Sequence, residues 1–482
     1  MSPAVSLEPV DPTLTAEDLG RVHLIGIGGV GMSGLARLLL TRGIPTSGSE
    51  LADWPHLKSL AALGGTIHRT HAASNLDGVD TVVYSTAIPP DHVELAEARR
   101  RGLRVLHRSQ ALVVAMNGRR GVAVAGTHGK TTTTSMLAVA LAGAGLDPSY
   151  VIGGEIGADS AGPTSNGQHG SGEHFVVEAD ESDRSFLLYS PYAGIITNIE
   201  ADHLNTYGDL EGLYQGFFDF TQRIKPDGFL VACADDPGAV EVARRAAAAG
   251  TTVHTYGESS DADLRLSGLD TDVSGVRYDA ILRGTKLGEV SLPVPGRHLG
   301  LNSAAALLTA VQLGAAPAAV IKALAHFPGV RRRFELKGVV NQIRVYDEYA
   351  YHPTSITLAL STLRAVAGEG RLIVVFQPYR VYRTRDLMSE LAAALAIADI
   401  AVVLEVFGPG EERGPNDGGE ALVRRIALPD EHKVFVPEWD AVPREVAARA
   451  RPGDVVVTMG APPISLMGDE LLAALRTEPQ PE

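Results

Sequence analysis

Two glycine-rich stretches and two acidic clusters carry the residue types that do chemistry in this chain. The stretch Gly126-Thr127-His128-Gly129-Lys130-Thr131-Thr132 follows the small apolar run Gly121–Ala125 and leads into a helix-prone segment, Met136 to Ala144. Glycines let backbone N–H groups approach phosphates, and a helix N-terminus adds the positive end of its dipole. Lys130 can reach β- and γ-phosphates, and Thr131 can place its hydroxyl on Mg2+. The usual G-x-x-x-x-G-K loop would have glycine at 124. Val124 stands there instead, so the loop is a variant with Gly126 closer in.

Acids suited to a metal follow. Glu178-Ala179-Asp180-Glu181-Ser182-Asp183 leaves the hydrophobic run Phe175-Val176-Val177. Carboxylates at the end of a buried strand are costly unless something cationic sits among them. Asn198-Ile199-Glu200-Ala201-Asp202-His203 closes the next strand. His203 thereby stands at a strand C-terminus, the end at which open α/β sheets bind ligands. The other glycine stretch, Val22 to Gly31, is an apolar strand feeding G-x-G-x-x-G, with the acid Glu50 about where a ribose partner stands in dinucleotide folds. That fingerprint alone does not separate NAD from another nucleotide diphosphate. An oxidoreductase, however, has no use for Lys130 and Thr131.

These loops need α/β units to hold them. Apolar β-rich runs alternate with helical patterns at 21–26, 30–42, 81–84, 104–106, 121–125, 174–177, 193–196, 229–233 and 251–255. They resume at 343–346, 371–376, 400–404 and 454–459. That rhythm predicts parallel sheets flanked by helices, in three consecutive α/β domains. Residues 263–295 alternate like antiparallel strands. A helical stretch spans 300–325, "HFPGVRRRFE" reads as a linker, and the polar loops 157–174 and 407–420 read as mobile. With 482 residues and a net charge of −15, the chain is too long for one core and too acidic for a nucleic-acid partner. No run of about 18 apolar residues predicts a membrane span, and the N-terminus lacks the apolar core of a signal peptide. Cys233 is the single cysteine, which excludes an internal disulfide and is expected to be a buried core thiol. A soluble, cytoplasmic protein is expected.

With these residues in view, the chain resembles the Mur ligases over roughly residues 20–475. In order it shows "HLIGIGGVGMSGLA", "VAGTHGKTTTT", "VEADESDRSFL", "TNIEADHLNTYGD", "PGRHLGLNSAAAL", "GVRRRFE", "YDEYAYHPT" and "FQPYRVYRTR". The resemblance implies a Rossmann-like UDP-sugar domain (1–112), a P-loop-type central ATP-binding domain (113–329) and a Rossmann-like C-terminal amino-acid-binding domain (330–482). It implies that Gly26, Gly28, Gly29, Gly31 and Ser49 bind the UDP of UDP-N-acetylmuramate rather than NAD. It implies ATP on Gly126, Thr127, His128, Gly129, Lys130, Thr131 and Thr132, with His298, Asn302, Arg333 and Asp347. A first Mg2+ would sit on Thr131 and Glu178, and a second on His203. Lys130, Glu178, His203 and Arg383 would be the catalytic set. A small amino acid, L-alanine first, would be held by Tyr349, Tyr351, His352, Tyr379, Arg380 and Arg383. The implied activity is ATP-dependent amide ligation through an acyl phosphate, in peptidoglycan precursor synthesis.

The third domain departs from the family pattern. Tyr351 and Tyr379 stand where the family has histidine. The family's D-V-Y-x-A-R-E reads Glu405-Val406-Phe407-Gly408-Pro409-Gly410-Glu411, and its M-G-A-G-D reads Met459-Gly460-Ala461-Pro462-Pro463. The asparagine after His298 is Leu299. A ligase with altered amino-acid or acceptor choice therefore stands beside the first reading, and a non-catalytic nucleotide-binding regulator behind both.

Overall fold

Short runs of valine, isoleucine and leucine between glycine turns become the parallel strands of three sheets. The computed structural model describes residues 8–54, 56–157 and 165–477. The chain divides into two compact units. One comprises Met1–Asp270, Arg277–Pro293 and Leu299–Pro328, the other Thr271–Val276, Val294–His298 and Gly329–Glu482.

The first unit holds two sheets. The smaller has five parallel strands in the spatial order Thr66–His68, Thr46–Ser49, Val22–Ile25, Thr81–Tyr84, Arg104–His107. Chain direction across the sheet reverses beside Val22–Ile25, so the first glycine loop opens at the topological switch point, where α/β sheets bind ligands. The larger sheet has ten strands. At its heart Arg120–Ala125 lies between His174–Glu178 and Ala193–Ile196, all parallel. Adjacent parallel strands end side by side, which brings the loops after residues 125, 178 and 196 to one edge. The run expected to alternate over 263–295 forms three consecutive neighbours, Leu264–Asp272, Gly275–Leu282 and Thr285–Leu292.

The second unit carries a six-stranded sheet. Glu335–Val340 is antiparallel to Ile343–Glu348, and Val455–Met459, Leu372–Phe376, Ile400–Val403 and Lys433–Phe435 follow in parallel. Leu372–Phe376 and Val455–Met459 are buried at every residue. Such continuous burial is what helices on both faces of a parallel sheet produce.

Several expectations are corrected. The helical stretch 300–325 is two helices, Arg297–Gln312 and Pro317–Leu324. Gly314 between them takes φ +94°, and Pro317 can start a helix but not continue one. The linker ends early, because Glu335 already begins a strand. Loop 157–174 contains the strand Ser165–Gln168, paired antiparallel with Ser149–Ile156; residues 158–164 lie outside those described. Loop 407–420 is tied at Glu411, which accepts from the Val381 N–H at 2.6 Å and from Arg380 at 3.2 Å. Cys233 is buried as expected, and burial pushes its thiol up to about 11.

The Ser165–Gln168 strand explains why polar residues can form an ordered edge. It lies on the helix Val30–Thr41 that follows the first glycine loop. Asn166 Nδ2 donates to Val30 O at 3.0 Å and to Ser33 Oγ at 2.8 Å. A Cβ on Gly34 would stand 2.8 Å from Asn166 O, and one on Gly167 would strike the Gly34 carbonyl. Two glycines thus let backbone meet backbone across the two sheets of this unit. Gly167→Ala is expected to cost about 1–3 kcal/mol through overpacking against an immovable carbonyl. Chemical denaturation checks this, and an unchanged midpoint would show that the hairpin does not clamp the helix.

Candidate functional site

Lys130 is the first residue of the helix Lys130–Gly143, and Gly129 caps it with φ +83°. The side chain folds back into the loop. Nζ donates to Gly126 O at 2.6 Å and Thr127 O at 3.3 Å, and lies 2.9 Å from the Glu181 carboxylate. Gly126, at φ +134°, passes so close to Thr197 and Asn198 that a side chain there would collide. Asn302 fills the space where a Cβ on Gly129 would sit, with its Oδ1 2.7 Å from that point.

The neighbouring strand ends hold the loop from outside. Asn198 O accepts from Thr127 N at 2.9 Å, and its side-chain Oδ1 accepts from His128 N at 2.8 Å. Thr197 Oγ1 donates to His128 O at 2.6 Å. Thr131 Oγ1 donates to Glu178 Oε2 at 3.2 Å, while Glu178 Oε1 accepts from Gly153 N at 2.6 Å. Thr132 is buried in the first turn. His203 adopts φ +55°, with Nε2 3.5 Å from Asp202.

The acid run thus divides its work. Glu178 faces the threonine and Glu181 takes the lysine. Asp180 accepts from Ser182 N at 3.0 Å and Asp183 from Ser185 N at 2.9 Å. Burial works against the charge of Lys130, yet Glu181, Asp180 and Glu178 together raise its pKa above the ordinary lysine value. Burial pushes the Glu181 carboxyl up to about 7, with Asp180 adding to the rise and Lys130 opposing it. Asp180 is also buried but is held below its usual value by Lys130 and Arg108. The cations that the acid run demanded are present in the protein itself.

At the first loop, Gly26 takes φ +71° and Gly29 caps the helix Val30–Thr41. Gly28 lies beneath Glu50 and Trp54: its N–H donates to Glu50 Oε2 at 3.2 Å, and a side chain there would meet both residues. Gly31 lies beneath Arg108. Ser49, expected to meet the sugar nucleotide, is fully buried and donates its hydroxyl to Glu94 Oε2 at 2.6 Å. Glu94 also accepts from Asn75 at 2.7 Å. Burial opposes its charge, yet hydrogen bonds from His23, Ser49 and Asn75 bring its carboxyl down to about 2. His71, His92 and Glu94 bring ligand atoms within 4.8 Å of one another. Both Glu94 oxygens are already committed, so these three read as a structural network.

In the second unit four aromatic rings form a row. Tyr349 to Tyr351 and Tyr351 to Tyr379 are each 5.5 Å between centroids, and Tyr379 to Phe407 is 6.5 Å. Arg383, buried, lies 4.7 Å over Tyr351, and Arg380 lies 5.3 Å over Tyr379 while pairing with Glu411. His352 is buried and caps the helix Pro353–Ala367. Arg333 lies 4.8 Å over the Tyr349 ring and donates to Tyr349 O at 3.1 Å. Asp347 accepts from Thr458 Oγ1 at 2.8 Å and faces Arg332 at 3.4 Å; burial raises its pKa against the pull of both. His298 rests against Phe334 at 6.1 Å.

Three family models match successive parts of the chain. They are the Mur ligase family catalytic domain over residues 21–120, the Mur ligase middle domain over 124–310 and the Mur ligase glutamate ligase domain over 332–462. The chain belongs to the Mur ligase family. It is 66% identical over 462 residues to UDP-N-acetylmuramate–L-alanine ligase of Salinispora arenicola, covering 96% of this chain and 90% of that one. Against the enzyme of the same name from Acidothermus cellulolyticus, identity is 51%, over 96% of each. Among solved structures, UDP-N-acetylmuramate-alanine ligase of Thermotoga maritima aligns with TM-score 0.78 at 28% identity, covering 94% of this chain and 98% of that one. A murein peptide ligase of Psychrobacter arcticus aligns at 0.72 and 26%, covering 95% and 99%.

Within this Mur ligase, residue spacing pointed to Lys130, Thr131 and Glu178, which the structure brings together. It did not single out Glu181 as the lysine's partner, Asn198 as the loop's staple or Glu411 as the partner of Arg380. Glu181 and Asn198 lay inside the motifs, but strand adjacency alone gives them these roles.

Glu348, in the motif of the second unit, is buried and accepts from Phe334 N at 2.8 Å. Burial pushes its carboxyl up to about 7, with Arg333 and the Phe334 N–H opposing. A carboxyl whose folded pKa lies above its unfolded value contributes stability in full below the unfolded pKa, roughly 4.3, and loses it as pH rises through the folded value. Between about pH 5 and 8 the melting temperature of the wild type should decline, and Glu348→Gln should flatten that decline. Equal slopes in the two proteins would show that Glu348 does not titrate in this window.

Proposed function

We propose that this chain is an ATP-dependent ligase that joins L-alanine to the lactyl carboxylate of UDP-N-acetylmuramate, in the synthesis of peptidoglycan precursors. The observation that carries this reading is near-full-length identity of 66% to relatives of that name. The Lys130 loop supports it. A carboxylate oxygen of the sugar attacks the γ-phosphorus of ATP, and ADP leaves. The amine nitrogen of alanine then attacks the acyl carbon, loses a proton and expels phosphate, leaving an amide. Such transfers need positioning and charge neutralisation more than covalent help.

In this reading the residues act as follows. The N–H groups of Gly126 to Thr132 cradle the triphosphate, and Lys130 exchanges Glu181 for the γ-phosphate. The hydroxyl of Thr131 beside the carboxylate of Glu178, 3.2 Å apart, is a hard oxygen donor set that fits Mg2+. His203 would hold a second Mg2+. Mg2+ bound there would neutralise charge on the transferring phosphoryl group. Asn302 supports Gly129, while His298, Arg333 and Asp347 serve the nucleotide from their own unit. Gly26, Gly28, Gly29 and Gly31 carry the UDP diphosphate. Arg383, with Arg380, holds the alanine carboxylate, and Tyr349, Tyr351, His352 and Tyr379 wall its side chain. Domain boundaries near 112 and 329 and a cytoplasmic site of action go with this reading. No helix among the described residues is long and apolar enough to cross a membrane.

A second reading, the same chemistry with another amino acid, rests on Tyr351 and Tyr379. Phosphate release with ATP and UDP-N-acetylmuramate, scanned over alanine, glycine, serine and leucine, separates the two. Alanine is expected to be preferred, and a preference for another amino acid would overturn the first reading in favour of the second. Lys130→Ala should lower turnover by roughly 10²–10³ or more with the fold intact. UDP-N-acetylmuramate, and not NAD, should raise the melting temperature.

A further inference from the structure

Arg108 has no role in the reaction as described so far. It is the first residue of the helix Arg108–Met116, directly after the last strand of the five-stranded sheet, Arg104–His107. Its guanidinium lies on Gly31, at the first turn of the helix Val30–Thr41. A Cβ on Gly31 would stand 3.0 Å from Arg108 Cζ and closer still to Nη1. The third glycine of G-x-G-x-x-G usually serves close helix–strand packing. Here it leaves room for an arginine at the phosphate-binding end of the helix.

The guanidinium is half-buried and makes no hydrogen bond or ion pair with any described residue. Its charge is felt on the other side by Asp180, which it helps to keep ionised, and by His107, whose burial, with Arg108 adding to it, brings its pKa down to about 4. Five donors in a planar fork are therefore aimed neither at a carboxylate nor at a carbonyl. They stand beside a glycine loop whose N–H groups and helix dipole already favour an anion. A guanidinium fork matches paired phosphate oxygens in a way that an ammonium does not.

We propose that Arg108 binds the diphosphate of the sugar nucleotide, closing over it from the side opposite the glycine N–H groups. This rests on the reading of the first loop as a UDP-sugar site.

Calorimetric titration of the full chain with UDP and with UMP tests the proposal. Arg108→Ala should weaken UDP binding on the order of 10–100-fold, the worth of a charge-assisted hydrogen-bond pair, and UMP far less. Arg108→Lys should recover only part of the loss. In turnover, the KM for UDP-N-acetylmuramate should rise in Arg108→Ala, with kcat changed much less. Equal losses for UDP and UMP, or full recovery with lysine, would overturn the proposal in favour of a structural or point-charge role. If the wild type binds UDP and Arg108→Ala binds it as tightly, the proposal falls alone. If the wild type binds neither UDP nor the UDP-sugar, the functional reading falls first.

Discussion

A lysine ammonium tucked into a tight loop must be satisfied, and the centre of the larger sheet is arranged around that demand. Lys130 turns back onto the carbonyls of Gly126 and Thr127 and onto Glu181. The loop can curl so tightly because Gly126 and Gly129 take left-handed conformations where a side chain would strike Thr197 or Asn302. Glu181 can reach the ammonium because its strand adjoins the loop's own strand. A buried ion pair of this kind is a poor source of stability, since desolvation offsets most of the attraction. Its value is positional: it holds a cation in place at the glycine loop without leaving a buried charge unbalanced.

The same logic links the two glycine loops of the first unit. The hairpin of Ser149–Ile156 and Ser165–Gln168 contacts Glu178 through the Gly153 N–H at one end. At the other it grips the helix Val30–Thr41 through Asn166 and the Gly34–Gly167 approach. Paired backbone strands thus lie between the acid of one loop and the helix that follows the other.

What could be read from residue order follows from where the information lies. Strands such as Leu372–Phe376 announce themselves because both faces are buried, and the Lys130 loop does so because its chemistry demands rare residue types in a row. The strands Thr46–Ser49 and Ser165–Gln168 carry no apolar run; TSGS and SNGQ become strands through neighbours distant in sequence. Polar character made residues 165–168 look like free loop, whereas their polar groups serve the backbone of a helix more than 130 positions away in sequence. Ser49 is similar: its hydroxyl donates to Glu94, 45 positions away, a pairing that residue order did not disclose. In the second unit the row of tyrosines was visible by type. That Phe407 extends it and Glu411 restrains Arg380 depends on a turn that residue order did not disclose.

The packing of Trp54 over Gly28 has an optical consequence. The chain has only two tryptophans, and the other, Trp439, belongs to the second unit, where its indole N–H donates to Glu470 at 3.1 Å. An indole whose Cδ1 stands where a Gly28 side chain would be shares its surroundings with whatever settles on that loop, and with the Glu50 carboxylate beside it. Indole emission is quenched and shifted by nearby charge and by changes in hydration. The first loop therefore carries its own fluorophore, and unlabelled protein reports occupancy of that loop by the intensity and colour of its emitted light.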